Sequence, residues 1–400
     1  MKSEQSMKKG EKRKKNVYLL GLVSFLNDLS SEMIMPILPL FIASLGGGGF
    51  AVGVISGVRE SVSSLVKIMS GYMADKTGDR KRFVFLGYLN SAVFKLLLGF
   101  SRMWQHVLIF TGLERIGKGL RTAPRDAILA DSLPGQRGKG FGFHRMCDTL
   151  GAVAGAAVTL LLYWVFRFDF RAIIFIAAAF SFTSLLPVLL IKAKKAAPQS
   201  VTFSLSLRSL SGPLKAFIFI AAVFYLANFS YMFFLLRARE YFSATRTGLS
   251  ANALPILLYI ISNIVYASGS MPFGILSDKI GRRKVLAAGY FLFALTALGF
   301  AFYQSFSMFL VLFCLYGVVM AIVDANERAY IADLAPAHLK ATALGVFHAT
   351  IGFVGVLEGL IVGSLWQWIS PQSAFFYGAA VTGLAGILLL VFGSYLARAE

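Results

Sequence analysis

Residues 71–82 read GYMADKTGDRKR, and residues 274–284 read GILSDKIGRRK. Both follow one pattern: Gly, three residues, Asp, two residues, Gly, then a basic cluster. Their aspartates, Asp75 and Asp278, stand 203 positions apart in a 400-residue chain. A pattern repeated at that distance means two halves built alike. A fainter echo agrees, because AILAD, ending at Asp131, is answered 202 positions later by AYIAD, ending at Asp333. Each copy also has a physical logic. Gly71 and Gly274 leave room for a neighbouring helix, Gly78 and Gly281 permit a tight reversal, and Asp75 or Asp278 at a helix end accepts bonds from basic side chains. The expected result is a breakable polar latch, formed by Arg80 and Lys81 in the first half and by Arg282 and Arg283 in the second. Asp131 is placed to complete the first latch through Arg80 or Lys81. The same basic residues also serve topology.

The sequence around these loops is apolar. Of all residues 57% are hydrophobic and 14% charged, against about 45–50% and about 25% in soluble domains. The chain therefore reads as an all-α membrane protein. Runs long enough to cross about 30 Å of hydrocarbon at about 1.5 Å per residue recur throughout. Twelve are expected, at 17–45, 51–74, 83–101, 104–130, 141–166, 170–191, 216–239, 251–277, 285–303, 307–332, 341–368 and 373–397. The expected organisation is a basic leader (1–16), a six-helix bundle (17–191), a polar linker (192–215) and a second six-helix bundle (216–397). The halves are parallel repeats.

A net charge of +20 invites a nucleic-acid reading, and the placement of the charge excludes it. Basic residues fall on alternate loops: the leader, Arg80 to Arg82, Arg137 and Lys139, the linker, and Arg282 to Lys284. Of the opposite loops, ASLGGGGFA, YQSFS and QWISPQS carry no charge, and those around Arg167, Asp169 and Arg171 and around Arg237 to Arg246 are exceptions. By the positive-inside rule both termini are cytoplasmic, in a multi-pass protein of the cell membrane. No small-residue cleavage site follows the leader, so it is expected to be retained. Cys147 and Cys314 each lie in an apolar span, which gives no disulfide framework.

With topology, linker and both loops in view, the chain resembles the major facilitator superfamily. The hallmark loop of that family runs approximately Gly-x-Leu-Ala-Asp-Arg-x-Gly-Arg-Arg-Lys. Gly274 to Lys284 fits it closely, while the first copy departs with Met73 and with Asp79 in place of an arginine. The resemblance implies alternating access about a central site, with the cytoplasmic loops latching the outward-facing state. It also implies a link between a basic residue of the fourth helix and proton transfer, and Arg115 in ERIGKG occupies that place. Gly151 and Gly155 begin a small-residue pattern that antiporters of the family extend. Here Ala156 replaces the proline of that pattern, and Val158 and Thr159 its later glycines, which weakens an antiport reading.

Charges inside the spans are the candidate machinery. At about 100° per residue Arg115, Lys118, Arg121 or Thr122, and Arg125 form a stripe, with Glu114 reaching Lys118 one turn on. Such a stripe cannot face lipid. Counted from Trp104, Arg115 lies about 16 Å deep, near the midplane. Asp28 and Glu32 sit one turn apart on the first helix, so one of them can hold a proton at neutral pH unless Arg59 or Arg115 pairs with it. Glu60, Lys67 and Lys95 add charge in the second and third helices, and His144 with Asp148 forms an i,i+4 pair in the fifth. Positives and negatives within the first-half spans nearly balance, so net charge does not select the substrate.

The second half differs. Its first helix is rich in Phe and Tyr and places Asn228 and Tyr231 on one face, and its fifth carries Gly352, Gly355, Gly359 and Gly363 as a packing ridge beside Glu358. The expected function is a secondary active transporter, proton-coupled, of a small organic or amphiphilic solute, with efflux as one direction. The alternative is an anion symporter or facilitator that clamps substrate with Arg59, Arg115 and Lys118. No metal cluster, nucleophile triad or phosphate-binding glycine loop suggests an enzyme or a cofactor. A small-molecule substrate, protons and lipid are the expected partners of a monomer.

Overall fold

The computed structural model describes residues 2–132, 137–192, 210–246, 248–302, 305–335, 339–392 and 395. Most of the linker and the side chains of the leader from Lys2 to Lys14 lie outside the described residues, as do the side chains of Gly71 and Asp75. Helices dominate because in hydrocarbon every backbone polar group must be satisfied within its own segment. The first half holds α1 (Lys2–Ile34), α2 (Leu38–Ser44), α3 (Gly49–Thr77), α4 (Arg80–Gly99), α5 (Trp104–Ser132), α6 (Arg137–Leu160), α7 (Phe170–Thr183) and α8 (Leu185–Leu190). The second half holds α9 (Gly212–Tyr225), α10 (Tyr231–Thr245), α11 (Ser250–Ile280), α12 (Arg282–Phe302), α13 (Phe306–Leu334), α14 (Lys340–Trp368) and α15 (Pro371–Val391). The repeat shows in the lengths: α5 and α13, which end in the two echoing aspartate motifs, each have 29 residues.

Several expected spans are broken. A 3₁₀ turn, Met35–Ile37, holding buried Pro36, separates α1 from α2, because proline cannot continue the hydrogen-bond ladder. The expected run 216–239 is interrupted at Leu226–Ser230, where Asn228 sits outside any helix and Ser230 caps α10 through the Met232 amide. Asn and Ser compete with helical backbone bonds, which favours a stop there. Asn228 and Tyr231 are therefore not on one face of a continuous helix. Among the described residues nine helices are long and apolar enough to cross a membrane, against the twelve expected. The shortfall falls on α3 and α5, whose charges lower their apolarity, and on the interrupted α9 and α10.

Contacts divide the chain into two compact units, Met1–Ile37 with Val62–Phe203, and Leu38–Ser61 with Ser204–Glu400. The first unit has an aliphatic core in which Leu20, Val23, Val84, Tyr88, Ile128 and Val188 pack together. The core of the second is aromatic. Phe224 stacks on Tyr290 at 3.8 Å, and Phe229, Phe234, Phe300 and Phe375 form a continuous cluster. Within this second unit the glycine ridge of α14 packs on the start of α3. A Cβ at Gly53 would run into the carbonyl oxygen of Gly359, one at Gly359 into that of Gly53, and Ser61 donates to the Gly352 carbonyl. Only glycine permits backbones to meet so closely.

Candidate coupling sites and gating loops

In the first unit the charges gather where α4, α5 and α6 meet α1. Asp28 accepts from Asn27 Nδ2 at 3.1 Å, and half-buried Glu32 follows one turn later. From α4, Lys95 is only 3% exposed and donates to Ser30 Oγ at 3.0 Å and Ser31 Oγ at 2.9 Å. Asp148 is tied to α1 by a hydrogen bond from Ser24 and approached by His144 Nδ1 at 3.5 Å.

The charges expected along α5 have separate partners. Arg115 pairs with its neighbour Glu114 at 3.4 Å and reaches α1 at Met35 Sδ, 3.8 Å away. No hydrogen bond or ion pair joins Arg115 to Asp28 among the described residues. Lys118 is exposed. Arg121 turns the other way, buried over the Tyr88 ring at 4.5 Å and bonded to Ser91 Oγ at 2.5 Å and the Gly87 carbonyl at 3.3 Å. The guanidinium finds its acceptors and an aromatic face there, which burial of a cation requires. Arg125 binds Asp126 at 2.9 Å. Arg59 is buried and Glu60 exposed, the latter beside Gly355.

In the second unit Glu358 is 5% exposed, and its Oε1 has no hydrogen-bond partner among the described residues. Tyr231 lies 5.0 Å from the Tyr259 ring, and Tyr377 donates to the carbonyl of Leu226, closing the break before α10. A second acidic site escaped the sequence reading. Glu327 on α13 is 1% exposed and accepts from Tyr290 at 2.6 Å and Tyr225 at 2.9 Å. One turn earlier, Asp324 accepts from Tyr266 at 2.8 Å and pairs with Arg328. The signal was present in the apolar run 307–332, where VDANERAY carries three charges.

The two loops carry matching ion pairs. Gly78 and Gly281 have φ of +69° and +96°, values that need glycine. Arg80 binds Asp131 at 2.8 Å, and Arg282 binds Asp333, each pair 51 residues apart. Arg282 also holds Asp278 at 2.9 Å. Lys81 donates to the Leu189 carbonyl at the end of α8, and Arg283 is half-buried. Asp79, the departure in the first copy, caps α4 through the Arg82 amide. Gly274 does not make room for a neighbour, since a Cβ there would meet nothing within 4 Å.

Apolar helices in two repeated halves, several carrying buried charges, are the build of a multi-pass membrane protein. Residues 20–265 and 217–398 match the model of the Major Facilitator Superfamily. An uncharacterized MFS-type transporter of Methanocaldococcus jannaschii is 47% identical over 97% of this chain and 98% of its own length. The chain belongs to the major facilitator superfamily. The multidrug resistance protein MdtG of Proteus mirabilis is 27% identical over 68% of this chain and 69% of its own. A crystal structure of a mutant form of the nucleoside transporter NupG superposes with a TM-score of 0.82 at 15% identity, covering 94% of this chain and 99% of that one.

Proposed function

We propose that the protein is a monomeric, proton-coupled carrier that moves a small amphiphilic organic solute across the cell membrane by alternating access, in the efflux direction. Both termini are cytoplasmic in this reading. The protein performs no covalent chemistry and binds no nucleic acid, and the bundles 17–191 and 216–397 act as the moving halves. The observation that carries the proposal is Glu358, a buried carboxyl group whose Oε1 lacks a partner among the described residues, within the tyrosine- and phenylalanine-rich second unit. A buried acid in a unit rich in aromatic rings suits either a proton or the cationic end of an amphiphile. The multidrug relative supports that substrate class. The anion reading is less favoured, because Glu114 pairs with Arg115.

The test is flux of ethidium, a lipophilic cation, in proteoliposomes with an imposed pH gradient. Saturable movement that reverses with the gradient is expected, and Glu358→Gln should abolish uphill movement. Ethidium flux with no saturation and no response to the gradient overturns the reading.

A further inference from the structure

We propose that Lys95 is a proton-exchanging group of the transport cycle, its amine held by two serines and its third position without a protein partner among the described residues. The geometry lies in the hydrogen bonds around it. Ser30 Oγ donates to the Ala177 carbonyl at 2.6 Å, and Ser31 Oγ donates to the Asn27 carbonyl at 2.9 Å. Both hydroxyl hydrogens are thus committed, and toward Lys95 the serines act only as acceptors. Two acceptors match the two hydrogens of a neutral amine, whereas an ammonium carries three.

The surroundings supply no counter-ion in contact. Lys95 makes no ion pair among the described residues, although its burial is almost complete. From α5 the charged neighbours are Glu114 and Arg115, which pair with each other, and Arg121, which is bonded to α4 itself. From α1 they are Asp28 and Glu32, which flank the two serines in sequence. α7 brings only Arg171, bonded to the Ser101 carbonyl, and α8 brings none. A charged amine kept from water with no carboxylate in contact is costly, and lysine, unlike arginine, can shed its charge. The step is balanced simply: the Nζ lone pair takes a proton from a hydronium, leaving water, and returns it to a water molecule on the other side. No other bond changes.

The proton-exchange claim can be tested without substrate, whereas its place in transport rests on the function proposed above. Full-length protein labelled with nitrogen-15 lysine, in liposomes, is examined by solid-state NMR at about pH 5 and about pH 9, below the range near 10.4 where solvated lysines titrate. One side-chain resonance, identified by its loss in Lys95→Gln, should change from ammonium to amine while the loop lysines remain ammonium. A Lys95 resonance in one form at both pH values overturns the proposal.

In the ethidium assay Lys95→Gln and Lys95→Arg should both let the dye equilibrate, with the gradient-driven concentration ratio falling to about 1 because neither variant cycles a proton there. Wild-type accumulation by either variant overturns the coupling role. A wild-type protein that does not accumulate ethidium would count against the proposed function, and the NMR result would still decide proton exchange at Lys95.

Discussion

Glu327 is a carboxyl group completed by two phenols, and at the residue scale this makes a sharp prediction. Tyr290 and Tyr225 occupy one carboxyl oxygen each, from α12 and α9, so three helices of the second unit meet at this one side chain. Tyr290→Phe keeps the ring stacked on Phe224 and removes only the hydroxyl. The carboxyl group then stays buried with one bond missing, a loss of about 1–3 kcal/mol. Thermal unfolding should show it, and an unchanged midpoint would mean that water replaces the phenol. Tyr225→Phe, at a partly exposed ring, should cost less. The sequence made the glycine turns and the Arg80–Asp131 pair legible because their residue types have few other uses in an apolar chain. It did not reveal that Arg121 turns away from Lys118, because that depends on Gly87 and Ser91 of another helix.

At the scale of elements, the contact between α3 and α14 sets the hardest constraint. Gly53→Ala or Gly359→Ala places a methyl group against a carbonyl oxygen and forces the helices apart. Overpacking of this kind costs about 1–3 kcal/mol. Gly355→Ala is the control, since its Cβ would lie an ordinary 3.8 Å from Glu60 Cβ. Both Gly53→Ala and Gly359→Ala should therefore unfold at lower temperature than Gly355→Ala, and equal stability for all three would remove the close approach as a determinant. The ridge itself was readable from the spacing of Gly355, Gly359 and Gly363. Its partner was not, because small residues advertise a close contact without naming the helix that makes it. The break between α9 and α10 was equally hidden, since Leu226, Ala227 and Phe229 continue the apolar run while the caps that end it are local hydrogen bonds.

At the scale of the whole molecule, the twin pairs Arg80–Asp131 and Arg282–Asp333 belong to the proposed latch. Their carboxylates are largely exposed, so each pair adds little static stability, about 0–1 kcal/mol. Their effect is expected on the balance between transport states. Asp131→Arg should shift that balance, measured by distances between spin labels placed on the loops of the two bundles, and Arg80→Asp in the same chain should restore it. Restoration that fails while both proteins remain folded would leave the pair a topological feature alone.

The sequence by itself determined the solvent, the class and the repeat. Hydropathy and charge belong to each residue, and a motif recurring half a chain away needs no coordinates to be seen. The tertiary structure decided which buried charges meet, that Leu38–Ser61 packs with the second unit, and that Lys95 rests on two serines while Glu327 rests on two tyrosines. Those choices depend on how closely distant backbones approach and on which hydrogens are already committed, and neither quantity is a property of any single residue.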